Sequence, residues 1–140
     1  MRRHLLMAGA IVSLGFATAG QALAAETPET LCKGGQLVQV RVNTLKGADK
    51  AAAYDTAASN HIGWYRSKGI TQNRLLVGPV LVRNADGSWS NSANERVSIH
   101  MNAPRVPADK RDAAWDAYVS AYRATSDIST EKFACVREPK

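Results

Sequence analysis

Between residues 36 and 45 apolar and polar side chains alternate, with Val38, Val40 and Val42 on one side and Gln39, Arg41 and Asn43 on the other. A period of two predicts a half-buried strand with one polar face. The period then changes. Over residues 49–68, turning each position by about 100° gathers Tyr54, Ala57, Ala58, His61, Ile62, Trp64 and Tyr65 within an arc of roughly 160°. Thr56, Ser59, Asn60, Arg66 and Ser67 fall outside it, so the stretch predicts an amphipathic helix. Asp49 is placed to cap its start and Gly69 to stop it.

Residues 74–82 form an almost continuous apolar run interrupted by Gly78-Pro79. Pro79 has no N–H to give to a ladder, so this strand lies at a sheet edge or carries a bulge. Asn84-Ala85-Asp86-Gly87 signals a turn, and the Ser/Asn-rich residues 88–94, with Trp89, read as the tip of a hairpin. Alternation resumes over 96–102, where Val97, Ile99 and Met101 oppose Ser98, His100 and Asn102. Pro104 and Pro107 separate this strand from a second helix over 108–125, with Ala114, Trp115, Tyr118, Val119, Ala121 and Tyr122 on one face and Asp109, Lys110, Asp112 and Asp116 on the other. A short strand over 131–136 ends the series. The order β-α-β-β-α-β predicts an α+β, ferredoxin-like sandwich: a four-stranded antiparallel sheet with two helices on one face.

Composition adds an address. Met1-Arg2-Arg3-His4 is basic, residues 5–19 are apolar or small, and Gln21-Ala22-Leu23-Ala24 offers small residues where a signal peptidase cuts. Residues 1–24 therefore read as a signal peptide, 25–31 as a disordered leader and 32–140 as a single α+β domain, periplasmic or secreted and free of the membrane once the signal is removed. The whole chain carries a formal charge of +6, and without Arg2 and Arg3 there remain 16 basic against 12 acidic residues. These are scattered, which argues against nucleic acid as a partner. The two cysteines, Cys32 and Cys135, predict one disulfide in an oxidising compartment. Closing so long a loop stabilises a fold by ~4–5 kcal/mol in the chain-entropy model. The predicted topology makes the first and last strands neighbours, which brings the same two cysteines together.

The stretches Val40-Arg41-Val42-Asn43-Thr44-Leu45-Lys46, His61-Ile62-Gly63-Trp64-Tyr65-Arg66, Gly78-Pro79-Val80-Leu81 and Ala114-Trp115-Asp116-Ala117-Tyr118-Val119 together resemble dimeric α+β-barrel proteins, and within them the NIPSNAP-type branch. The resemblance rests on pattern across most of the chain after residue 32 and includes no catalytic motif. It implies a homodimer whose sheets face each other and a pocket in each subunit between sheet and helices. It also implies a choice of roles, since the superfamily holds cofactor-free monooxygenases, isomerases, haem-handling enzymes and proteins without known activity.

His61 stands near the centre of an apolar helical arc, where a simple core requires no histidine. It reads as a proton shuttle, a haem ligand or a polar anchor in a pocket, or else as a core histidine satisfied by a carbonyl or a tyrosine. Burial is expected to keep its imidazole neutral. Asn43 and Tyr65 are its candidate catalytic companions, and Trp64, Tyr65, Trp115 and Tyr118 with His61 are candidates for lining a small apolar or aromatic ligand. No acidic residue shares its helix face. His100, with Ser98, Asn102, Arg41 and Asn43, marks the polar sheet face, expected either to pair with a second subunit or to face water. Trp89 reads as a contact residue for a partner or a pocket mouth. His61 and His100 have no metal-ligand spacing, and neither a phosphate loop nor a dinucleotide fingerprint occurs. The expected cofactor set is therefore none, with haem as the alternative at His61. The functional expectation is a dimeric small-ligand-binding or structural protein, the alternative a cofactor-independent or haem-linked enzyme.

Overall fold

The structure, a computed structural model, describes residues 26–139; the expected signal peptide, with His4, lies outside them. Within the leader, expected to be unstructured, Pro28–Leu31 form one helical turn (α1). The cause is local: the Thr30 N–H donates to Thr27 Oγ1 and the Thr27 N–H to Thr30 Oγ1, a reciprocal cap.

β1 spans Gln36–Leu45, the predicted bounds. The helix after it begins differently from expectation. Asp49 sits in a 3-10 turn, Ala48–Lys50, its carboxylate 2.9 Å from Lys50 Nζ, and it does not cap α2, which runs Ala51–Ser67. Gly69, at φ 74°, stops that helix. β2 is Arg74–Arg83, and it shows both consequences expected of Pro79: an edge position, and a register shift between Pro79 and Leu81. The hairpin tip is tighter than predicted. Asn84 N–H donates to Ser88 O, Gly87 takes φ 84°, and β3 starts at Trp89 and runs to Met101. The Ser/Asn-rich arm is ladder because an exposed strand needs backbone partners, not apolar side chains.

A second 3-10 turn, Ala108–Lys110, precedes α3, Ala113–Thr125, whose cap is Asp112. Asp112 was expected merely to face water. Instead Oδ1 accepts from Trp115 N–H (3.0 Å) and from the Trp64 indole (2.8 Å), while Oδ2 accepts from Lys68 (2.6 Å), so one carboxylate ties α3 to α2. Those partners hold its pKa well below the ordinary carboxylate range. β4 covers Ser126–Val136, starting five residues before the predicted strand, with a bulge opposite Val42 and Asn43.

The sheet is antiparallel throughout, in the order β2-β3-β1-β4. Leu37 pairs with Cys135, and Cys135 is bonded to Cys32. Trp64, Tyr65, Val106 and Tyr118 form the buried cluster between the helices and the loop after β3. Both long helices lie over one face of the sheet, and it is the polar one: Gln39, Arg41, Asn43, Ser98 and His100 line a cavity with side chains of α2 and α3. The expectation of an outward polar face, open to solvent or to a second subunit, is therefore corrected. Val38, Val40 and Val42, paired with Met101, Ile99 and Val97, occupy the opposite face. Asn102 leaves the alternation altogether, taking φ 52° just beyond β3.

Candidate functional site

The cavity between the helices and the sheet has a volume of about 600 Å³. The sheet supplies its floor through alternate residues of β1 and β3, which a period of two aims at one side. α2 contributes Tyr54, His61 and Tyr65, and α3 contributes Trp115, Tyr118, Val119 and Tyr122. Phe133 of β4, half exposed at 50%, stands on the wall.

His61 and His100, placed by the sequence on separate elements with separate roles, meet here. Their rings stand edge to face with centroids 5.0 Å apart. Tyr118 stacks on His61 at 4.5 Å, Tyr65 lies 5.5 Å away, and Nδ1 of His61 is 3.4 Å from the Tyr122 hydroxyl. Burial, the neighbouring His100 and the charge of Arg41 push the His61 pKa down to about 3. Burial and the charges of Arg41 and Arg66 take His100 down to about 4. Both imidazoles are neutral at pH 7. Burial likewise raises the phenols of Tyr118 and Tyr122, so both keep their protons.

The tautomer of His100 follows from its neighbours. Arg66 donates from Nη1 to Asn73 Oδ1 and from Nη2 to Asn73 O, each at 2.6 Å. The side-chain amide of this fully buried Asn73 is thereby oriented, and Nδ2 must be the atom 3.0 Å from His100 Nε2. A neutral imidazole that accepts at Nε2 carries its proton on Nδ1. His100, which also lines the cavity, thus carries its donor on Nδ1.

Two buried polar atoms in the lining have no partner among the described residues: Asn43 Nδ2 and the Tyr118 hydroxyl, in side chains 4% and 3% exposed. Arg41 donates from Nε to Glu131 Oε1 at 2.6 Å, and Gln39 donates to the same oxygen at 2.8 Å. The two Nη nitrogens of Arg41 have no bond among the described residues. Arg96 Nε approaches Asp55 at 3.6 Å, too far for a hydrogen bond.

Of the residues expected to hold a ligand, His61, Tyr65, Trp115 and Tyr118 line this cavity together. Trp64 does not; it is core, and it borders a smaller pocket with Ile70, Val106 and Lys110. Asn43 lines the cavity too, with no hydrogen bond to His61 among the described residues. Trp89 is 64% exposed beside Arg83 and lies outside the lining. Sequence reasoning missed Asn73 and Arg66. Tyr122 shared the apolar face of its helix, but nothing local announced that the asparagine before β2 would be buried beside a histidine.

A haem would need a flat approach to a ring nitrogen of His61. Four aromatic rings stand within 5.8 Å of that imidazole and Nδ1 faces Tyr122, so the residues fit a haem poorly. No group of three or more His, Cys, Asp or Glu able to hold a metal ion occurs among the described residues. No helix among them is long and apolar enough to cross a membrane. Comparison of the chain with family models, curated proteins and solved structures finds no match.

Proposed function

We propose that this chain is an exported binding domain for a small aromatic molecule. The observation that carries the reading is the cavity, whose helix side is largely aromatic and whose buried Asn43 amide and Tyr118 hydroxyl have no partner among the described residues. Its volume falls within the range of about 300–1,000 Å³ common for small-molecule sites. An unpaired buried polar group costs about 1–3 kcal/mol, a cost that a guest with a matching polar group removes. The Cys32–Cys135 bond supports an oxidising compartment.

The order β2-β3-β1-β4 and the placement of both long helices over one face support a ferredoxin-like sandwich. The valine stripe on the other face supports a homodimer of the α+β-barrel kind assembled through Val40, Val97 and Ile99, and not through the polar residues first expected. Light scattering on the parent and on Val40→Lys tests that assembly, a dimer in the first and a monomer in the second being expected.

Ligand binding is tested by titrating planar aromatic compounds against the parent protein and Val119→Trp, a variant that fills the cavity, following tryptophan fluorescence. Saturable quenching in the parent and its loss in the folded variant are expected. Quenching that survives the filled cavity places the guest elsewhere and overturns the reading. A second reading, a cofactor-independent monooxygenase or isomerase of the α+β-barrel class, draws support from the contact between neutral His61 and Tyr122, a base beside a proton donor. No carboxylate touches either histidine among the described residues, and for that reason binding without catalysis stands first.

A further inference from the structure

Arg41 on the cavity floor forms an ion pair with Glu131 through Nε alone, its side chain 37% exposed. Glu131 presents one oxygen, Oε1, to both Gln39 and Arg41, and it does not line the cavity, whereas Arg41 does. The guanidinium keeps both Nη nitrogens without a bond among the described residues. Two residues along the same strand face, about 7 Å away, the Asn43 amide nitrogen is buried and has no partner among the described residues. His100, opposite Gln39 on β3 and so diagonal to Arg41, lines the same cavity. A guanidinium that offers its Nη nitrogens beside the unpartnered Asn43 amide donor suits an acceptor bearing negative charge. Charge-assisted bonds of this kind are shorter and roughly twice as strong as neutral ones.

The acidic residues on the lining do not supply that charge. Asp127 is 3.3 Å from Lys46, with its side chain 76% exposed, and Glu29 lies in the exposed leader turn. Above the donors α3 sets Tyr118 and Trp115, and beside them on the sheet stands Phe133, paired with Gln39. Such rings offer flat apolar faces that suit another ring and give little to a flexible aliphatic chain.

Building on the binding function proposed above, we propose that the guest is a planar aromatic acid, its carboxylate received by Arg41 and Asn43 and its ring held against Tyr118, Trp115 and Phe133. Arg41 then sets the preference for charge and the aromatic wall the preference for shape.

The test compares 2-naphthoate, its neutral amide 2-naphthamide and cyclohexanecarboxylate by calorimetric titration of the parent, Arg41→Gln and Arg41→Lys. Folding of each variant is checked by circular dichroism. The parent is expected to bind naphthoate at least about ten-fold more tightly than the amide, the share of one charge-assisted hydrogen bond, and to bind the cyclohexane acid more weakly than naphthoate. Arg41→Gln is expected to bind acid and amide equally, and Arg41→Lys to keep part of the preference. Equal affinity of the parent for acid and amide, or a preference untouched in Arg41→Gln, overturns this inference and leaves the aromatic binding site standing. Failure of all three compounds to bind the parent overturns both.

Discussion

Lowering the pH from 8 to 5 should destabilise this protein through His61 and His100. Each has an unfolded pKa near 6.5, lowered in the folded state to about 3 for His61 and about 4 for His100. The folded state prefers the neutral ring, so this contribution to stability is complete above pH 6.5 and is lost as pH falls towards the folded values. At pH 5 the unfolded chain binds nearly one proton at each ring and the folded chain almost none. The loss between pH 8 and 5 is then about 2 kcal/mol per histidine and about 4 kcal/mol for the pair, a large share of a net stability of about 5–15 kcal/mol. The charges facing the rings are the guanidiniums of Arg41 and Arg66, and the tyrosines around them stay neutral, so no neighbour offsets the loss. Partnered carboxylates such as Asp112 and Asp86 titrate below this window. Urea denaturation of residues 25–140 at pH 8 and 5, on the parent, His61→Gln and His100→Gln, reads the effect. Each variant should lose about half of the pH dependence, whatever its stability at pH 8. A parent equally stable at both pH values, or variants that keep the full dependence, would refute the argument that both rings are held neutral in the folded protein.

Asp112→Ala should lower the urea midpoint by removing the α3 cap and leaving the buried Trp64 indole N–H without an acceptor, the latter alone costing about 1–3 kcal/mol. Asp112→Asn, which keeps an acceptor oxygen, should restore most of the midpoint. Replacing Cys32 and Cys135 by serine opens a loop with a sequence separation of 103 and should cost up to about 4–5 kcal/mol in chemical denaturation. Gly35→Ala should lower the melting temperature of the oxidised protein, because its Cβ would lie 2.6 Å from Cys135 Sγ and 3.0 Å from Val136 O. Hemin added to the folded protein should give no saturable Soret shift, given the rings crowded around His61; a shift abolished by His61→Ala would reverse that conclusion.

Much of this architecture was legible in the chain because it is written in short-range periods. Alternation over β1 placed its ends, and the helical arc picked out Tyr54, Ala57, Ala58, Trp64 and Tyr65, all buried in α2. Pro79 announced an edge and a bulge because a missing N–H has the same consequence in any sheet. The cysteines announced their bond because only two were present and the topology made their strands neighbours. Elements built of polar residues were harder to read. Residues 89–95 and 126–130 form strands because their backbones pair, and a propensity reading registers backbone pairing only through the side chains.

The site itself was decided in three dimensions. Alternation separates Val38, Val40 and Val42 from Gln39, Arg41 and Asn43, yet it is unchanged when the two faces are exchanged, so it cannot say which one meets the helices. That choice depends on what the helices carry, and here they bring Tyr54, His61, Tyr65 and Tyr122, rings with polar tips that suit a polar floor. The same choice set His100 beside His61 and made a neutral pair of two histidines that looked unrelated. Burial of Asn73 beside His100 depended on the pairing of β2 with β3, which sets the residue before Arg74 diagonally across from His100, 27 positions away. A strand's period is local and survives in the sequence, whereas the partner of each face is fixed by packing across the whole domain.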